Sequence, residues 1–371
     1  MCGRVRPSEG DRAVVTVEDV FVDEQLEAAV ANELSAEQVA ERTKALVGYS
    51  YVADDYYEVG REMIRSHARA VQSDHPVFWD EAKAAELGHD TLVAHPTFVS
   101  VLGLIMQRRL FEEVITGYDM WQIMQTDQRL IMHQPMKPGD KLACKVSLES
   151  FRQSMGADLL VSRNELTNQL GEPVVTTLTS IVARAAIEVD PELIGKLNAV
   201  MMHVDNEGVA GKTAADLPVA DEPPALEPLA YGAIDFDTLE VGQELPVVRK
   251  SLTLGNLVNY AGVAADPNPI HFSREVAEAV GLDGVVAHGM QTMGLGATVI
   301  GDFVGDPAAI YEFNVRFTSP VYVPTIGAAH IDFSGKIKSL DPETRRGVIA
   351  LVAKQGDRKI FGRAQAMIQF N

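Results

Sequence analysis

Two blocks of this sequence keep step at a separation of 193 residues: Phe78 and His271 are that far apart, and so are His95 and His288. SDHPVF (Ser73–Phe78) is followed by AHP at 94–96, and DPNPIH (Asp266–His271) by AHG at 287–289. The intervening WDEAKAAELGHDTLV and FSREVAEAVGLDGVV align without a gap and share an A…G…V pattern. Two landmarks in one register point to internal duplication, so the chain is constrained to fold as two copies of one supersecondary plan.

Hydrophobic patterning shows the plan. Each copy opens with a helix, passes through a loop and reaches a longer apolar helix, PTFVSVLGLIMQRRLFEEV in the first and GMQTMGLGATVIGDF in the second. Alternating runs follow: KLACKVSLES, LLVSRNELTN and VVTTLTSIVARA, then YEFNVRFTSPV, GAAHIDFSGKI, GVIALVAKQ and KIFGRAQAMIQF. These predict antiparallel meander strands joined by turns such as LDPETRRG and KQGDRK. An antiparallel sheet beside one apolar helix is an α+β layout. A length of 371 residues suits two such units. DNEGVAGKTAADLPVADEPPALEPLA, around 205–230, has linker composition and divides them. Ahead of the first copy, residues 17–47 read as a helical appendage in which Ser35 and Gln38 fit a capping box; packing or dimerisation is its simplest use.

Composition narrows the partners. With 32 basic against 52 acidic residues the net charge is −20, which leaves no basic surplus for nucleic acid, although a local basic patch for an acidic carrier stays open. Cys2 and Cys144 cannot build a disulfide framework and lack zinc-site spacing, which suits a reducing cytoplasm. The N-terminal MCGRVRPSEGDRAVV lacks the apolar stretch of a signal peptide, and no run reaches the ~18 apolar residues of a membrane span. GLGATVIG puts Val299 where a dinucleotide loop needs its third glycine, and HExxH, CxxC and GxSxG do not occur.

AADPNPIH carries the first chemical signal. Proline locks φ and restricts the residue before it, so the Asn-Pro turn lets the Asp266 carboxylate and the His271 imidazole converge on one small volume. Imidazole moves protons near neutral pH, and a neighbouring acid can share the task. A capping aspartate with a buried structural histidine explains the same Asp-x4-His spacing. VVAHGM adds a second signal, since Gly289 falls in the first turn of the apolar helix, where free N–H groups carry partial positive charge. Glycine there lets a carbonyl approach the backbone and form an oxyanion hole; ordinary helix initiation is the alternative. Acid, base and exposed amide together are what α-proton chemistry on a thioester requires. His95 and His288 both precede the long helix and suggest a shared task at that turn. His67, His75, His89, His133, His203 and His330 are scattered and read as structural or surface residues. Arg108 and Arg109 are candidates for meeting phosphopantetheine or an acidic carrier, but helix neighbours point apart and surface solvation explains them.

LVNYAGVAADPNPIHFSREVAEAVGLDGVVAHGMQTMGLG resembles the signature of the MaoC-like hydratases and dehydratases, a branch of the hot-dog fold. GDPAAIYEFNVRFTSPVYVP and KIFGRAQA resemble the catalytic B subunit of the mycobacterial-type (3R)-hydroxyacyl-ACP dehydratase. YYEVGREMIRSHARAVQ, AAELGHDTL and VSRNELTN, between about Tyr56 and Ala185, resemble its A subunit. The resemblance covers roughly 48–186 and 232–371, with 187–231 as linker and 1–47 outside it. It implies a double hot-dog: two repeats, each an antiparallel sheet wrapped around a long apolar helix. By the same resemblance His271 removes the α-proton, Asp266 protonates the departing hydroxyl, and Gly289 donates its N–H to the thioester oxygen. Asn268 holds the loop, and His288 belongs to the substrate-binding turn. Neither metal nor organic cofactor is implied.

At the three functional positions the first repeat has Ser73, Phe78 and Pro96. Phenylalanine cannot accept a proton and proline has no N–H, so one site per chain is expected. The first repeat is then left to bind, with Phe98, Val101, Leu102, Ile105 and Met106 as candidates for an acyl channel; core packing explains the same stripe. The expected function is a cytoplasmic (3R)-hydroxyacyl-ACP dehydratase of fatty-acid elongation, extending to long-chain or mycolic acid precursors. An (R)-specific enoyl-CoA hydratase and a non-catalytic acyl-thioester binding protein are the alternatives. Whether two such units pair as a homodimer is left open.

Overall fold

The computed structural model describes residues 34–118, 123–154, 156–185, 191–201 and 234–371. The expectations for 17–33, His203 and the 205–230 linker lie outside the described residues. Helix α1 (Ala36–Ala45) starts at the capping box expected from sequence: Ser35 Oγ accepts from the Gln38 N–H, and Gln38 Oε1 accepts from the Ser35 N–H.

The first repeat comprises β1 (Ser50–Val52), β2 (Tyr57–Glu58), α2 (Arg61–Ala70), α3 (Glu81–Glu86) and α4 (Ser100–Arg109), then β3 (Met124–Met132), β4 (Lys141–Ser154), β5 (Ala157–Thr167) and β6 (Pro173–Ala183). A short α5 (Pro191–Asn198) follows. It lies within the stretch expected as linker and packs Leu193 and Leu197 on Val276. The second repeat comprises β7 (Glu244–Leu252), α6 (Leu254–Ala264), α7 (Arg274–Ala279) and α8 (Gly289–Val304), then β8 (Ile310–Phe317), β9 (Ala329–Asp341), β10 (Arg346–Gln355), β11 (Arg358–Lys359) and β12 (Phe361–Gln369).

The strands form one antiparallel sheet ordered β1-β4-β5-β6-β3-β8-β12-β10-β9-β7. Its seam is the β3–β8 pair, in register from Asp127 opposite Arg316 to Ile131 opposite Glu312. Outward from that seam the two halves repeat the same strand plan, and an Arg129–Glu312 ion pair of 2.9 Å crosses it. This is a double hot-dog fold of α+β class, with α4 and α8 as the wrapped helices.

The repeats are also tied through their interiors. α8 is buried along nearly its whole length, as an all-round apolar helix must be. Gly294 gives room to Val71 of the other repeat: a Cβ there would lie 2.4 Å from the valine side chain. Thr298 donates to the Val71 carbonyl (3.1 Å) and lies 3.2 Å from His95 Nε2. His89 and Asp306, both buried, meet at 2.9 Å. One continuous hydrophobic core therefore spans both halves.

Candidate active site

The site is built where α6 stops. Ala265 closes the helix in the left-handed region at φ 49°, uncommon for a residue with a Cβ and a feature that clusters at functional turns. The Asp266 N–H still donates back to the Ala261 carbonyl at 3.1 Å. Asn268 Oδ1 then accepts from the Ile270 N–H at 3.2 Å and caps a single 3-10 turn, Pro269–His271. Proline at the first position fits because its missing N–H has no partner to lose there. That turn delivers His271 inward while Asp266 stays half-buried.

His271 Nδ1 lies 2.8 Å from the Val286 carbonyl oxygen. A carbonyl only accepts, so Nδ1 carries the proton and the neutral ring keeps its lone pair at Nε2. Burial lowers the His271 pKa, while the Asp266 charge and the Val286 hydrogen bond pull it back up. His288 stacks on it, ring centroids 3.6 Å apart and planes 23° from parallel. The His288 Nε2–H donates to the Asp266 carbonyl at 3.3 Å, and burial, then His271, hold its pKa well below the ordinary value. Tyr260 packs tilted against His288, ring centroids 4.9 Å apart, and donates to Ser100 Oγ at 3.0 Å.

Gly289 is the first residue of α8, and His288 before it makes no side-chain cap. Among the described residues no acceptor takes the Gly289 N–H. A Cβ at this position would meet Phe317 ring atoms at 3.4 and 3.5 Å, ordinary contact distances, so the ring of Phe317 lies next to the start of α8. Of the expected site residues, Asp266, His271 and His288 are brought together, Asn268 caps the turn that carries His271, Gly289 directly follows His288, and Asp266 alone of the five lines the neighbouring cleft. Asp266, His271 and His288 each bring one potential ligand atom within 4.8 Å of the others. Lone pairs on two face-to-face rings run side by side instead of converging, so the arrangement fits proton transfer better than it fits a metal.

An open cleft of about 590 Å³, mouth included, starts at Asp266, Tyr260, Ala264 and Met290. It runs along Val99, Ser100, Gly103, Leu104 and Gln107 of the first repeat and over residues of β3, β5 and β6. The channel residues expected from sequence are corrected here. Phe98, just before α4, and Leu102 and Met106 within it are buried in the core. The adjoining face of α4 lines the cleft instead. Ile105, from the same stripe, is exposed. Arg108 and Arg109 are engaged by Glu112 and Glu113 one helical turn on, and Arg109 also by Asp54.

The first repeat preserves the frame without the chemistry. Phe78 packs on His95 at 5.5 Å where His271 packs on His288, and His67 flanks His95 at 5.5 Å where Tyr260 flanks His288. His67 and Tyr260 are themselves 193 positions apart, a signal that extending the repeat register would have exposed. The Val286 carbonyl that sets the His271 tautomer has no sequence signal, because any residue supplies a carbonyl.

A paired hot-dog frame that brings a carboxyl group and a neutral imidazole together beside a helix start has the make-up suited to hydration and dehydration chemistry. The chain belongs to the MaoC-like dehydratase family. The MaoC-like domain model matches residues 238–353, and the FAS1-like dehydratase domain region matches 45–177. A solved MaoC-like dehydratase is 41% identical with a TM-score of 0.80, over 89% of this chain and 100% of its own. A UPF0336 protein of Mycobacterium tuberculosis is 44% identical over 130 residues, 35% of this chain and 78% of its own length. A conserved hypothetical protein of Mycobacterium tuberculosis described as a double hot-dog shares the fold alone: 13% identity and a TM-score of 0.58, over 87% of this chain and 96% of its own.

Proposed function

We propose that this chain dehydrates (3R)-3-hydroxyacyl thioesters to trans-2-enoyl thioesters, with one site per chain. The carrying observation is the 2.8 Å contact between His271 Nδ1 and the Val286 carbonyl, which leaves Nε2 as a base in one cluster with Asp266 and His288, the residue that precedes Gly289 at the start of α8. His271 Nε2 takes the α-proton, and the thioester oxygen gains enolate charge against the Gly289 N–H. Asp266 gives its proton to the departing 3-hydroxyl, which leaves as water as the double bond forms. The cycle leaves the proton on His271, and its return to Asp266 resets the site. Hydration is the same path reversed.

The carrier in this reading is acyl carrier protein and the setting cytoplasmic fatty-acid elongation, long-chain or mycolic acid precursors included. Its support is the resemblance of the two halves to the two subunits of a (3R)-hydroxyacyl-ACP dehydratase. The test is turnover of short and long trans-2-enoyl groups carried by ACP and by CoA. Faster turnover on ACP is expected. A clear preference for short CoA esters overturns the elongation reading in favour of an (R)-specific enoyl-CoA hydratase. Inertness to every ester, with no response to Asp266→Asn, leaves a non-catalytic acyl-thioester binding protein.

A further inference from the structure

Gly103 of α4 and Gly296 of α8 are equivalent in the repeat register, 193 positions apart. In the second repeat the space beside this glycine is filled: a Cβ on Gly296 would lie 2.8 Å from Leu351 and 3.5 Å from Phe333. In the first repeat a Cβ on Gly103 meets nothing within 4 Å, and the cleft occupies that space.

The sheet behind the two glycines differs in the same way. The second repeat buries Phe313, Ile349, Leu351 and Ala366 on the strands that pack against α8. The first repeat lines the cleft with Gln128, Asn164 and Thr177, which are 5%, 2% and 3% exposed. The fold therefore does not require polar residues here, and burying them is costly unless they find partners. Some do. Gln125 and Thr179 both donate to Gln128 Oε1, at 2.6 and 2.9 Å, and Asn164 Nδ2 donates to Thr177 Oγ1 at 3.1 Å. Among the described residues Asn164 Oδ1 has no partner. Whichever end of that amide meets Thr177, its other polar atom is left unpaired in a side chain that lines the cleft.

Resting on the dehydratase reading, we infer that the cleft receives an acyl chain bearing a hydroxyl or similar hydrogen-bonding group, in place of a plain alkyl chain. A hydroxyl both donates and accepts, so it satisfies Asn164 in either orientation of the amide. The amides of a pantetheine arm offer related chemistry, and the experiment separates the two.

The full chain is assayed for hydration of two trans-2-enoyl-CoA esters about eight carbons long, one ending in a hydroxyl and one in a methyl. A kcat/KM about tenfold higher for the hydroxylated ester is expected, the size of one well-made hydrogen bond. Asn164→Leu is expected to shrink this ratio to near one, and a ratio is unaffected by general loss of folded protein. Equal or faster turnover of the methyl ester by the wild type overturns the inference. The pair is repeated as N-acetylcysteamine thioesters, which lack most of the pantetheine arm. Persistence of the hydroxyl preference there supports the acyl assignment. Its disappearance, with Asn164→Leu slowing all CoA esters alike, places the pantetheine arm in the cleft and overturns it. Turnover of a four-carbon enoyl ester reports on the dehydratase reading separately. If no thioester is turned over, that reading and this inference fall together.

Discussion

His271 and His288 lie face to face, 3.6 Å between ring centroids, each anchored by a different backbone carbonyl, Val286 for one and Asp266 for the other. Rotating either ring forfeits its hydrogen bond, so both tautomers are fixed by the main chain. Two buried imidazoles in contact disfavour a shared positive charge, which keeps His271 neutral and basic.

Removing either member of the proposed acid–base pair should stop the chemistry without unfolding the chain. His271→Ala and Asp266→Asn are each expected to lower kcat by about 10²- to 10⁴-fold. Steady-state hydration of trans-2-enoyl esters gives the rate, and a melting curve within a few degrees of wild type shows that the fold survives.

The acid limb of the pH–rate profile should lie below the ordinary histidine value of 6.5, because burial lowers the His271 pKa. As pH falls through that lowered value Nε2 takes a proton and the base is lost. A kcat/KM that already halves above pH 6.5 contradicts a neutral His271 base.

Stability should fall in acid well before the carboxylates titrate. Burial lowers the His67 pKa to about 3. The unfolded chain therefore binds a proton below pH 6.5 that the folded chain refuses. This contribution is fully present above pH 6.5 and declines by about 1.4 kcal/mol per pH unit down to about pH 3. His95 and His288 act in the same direction. Urea unfolding at pH 7.5 and 5.5 measures the loss, and His67→Leu should reduce the slope by about one proton.

Gly289→Pro copies Pro96 of the first repeat into the second. Proline is accepted at a first helical position, and His288 already has the extended ψ of 135° that a following proline requires. The N–H is lost while the helix can remain. A fall in kcat of about 10²- to 10³-fold with near-native circular dichroism is expected; an unchanged rate removes this amide from the mechanism.

Asp306→Ala leaves buried His89 without its carboxylate partner across the repeats. A loss of about 3 kcal/mol is expected by denaturant titration.

Much of the fold was legible because it was written twice. The 193-residue register, the apolar helices and the strand alternation specify two copies of one α+β plan, the family resemblance implies that each is a hot-dog, and the Ser35–Gln38 capping box appears as read. The apolar stripe at Phe98, Leu102 and Met106 reads two ways from sequence for a physical reason: it satisfies a helix period, and period alone does not say whether an apolar face meets core or substrate; burial decides for the core. LLVSRNELTN held a usable clue, since Ser162 and Asn164 fall at inward positions of an alternating strand.

The sequence by itself determined the duplicated architecture and the Asp266–His271–Gly289 constellation, because short-range turn chemistry and helix starts are local properties. Only the tertiary structure decided which His271 nitrogen is free, that Tyr260 and His288 brace the site, and that polar side chains of β3, β5 and β6 line part of the cleft. Those features depend on backbone carbonyls and on strands brought together from distant parts of the chain, and no local pattern records such meetings.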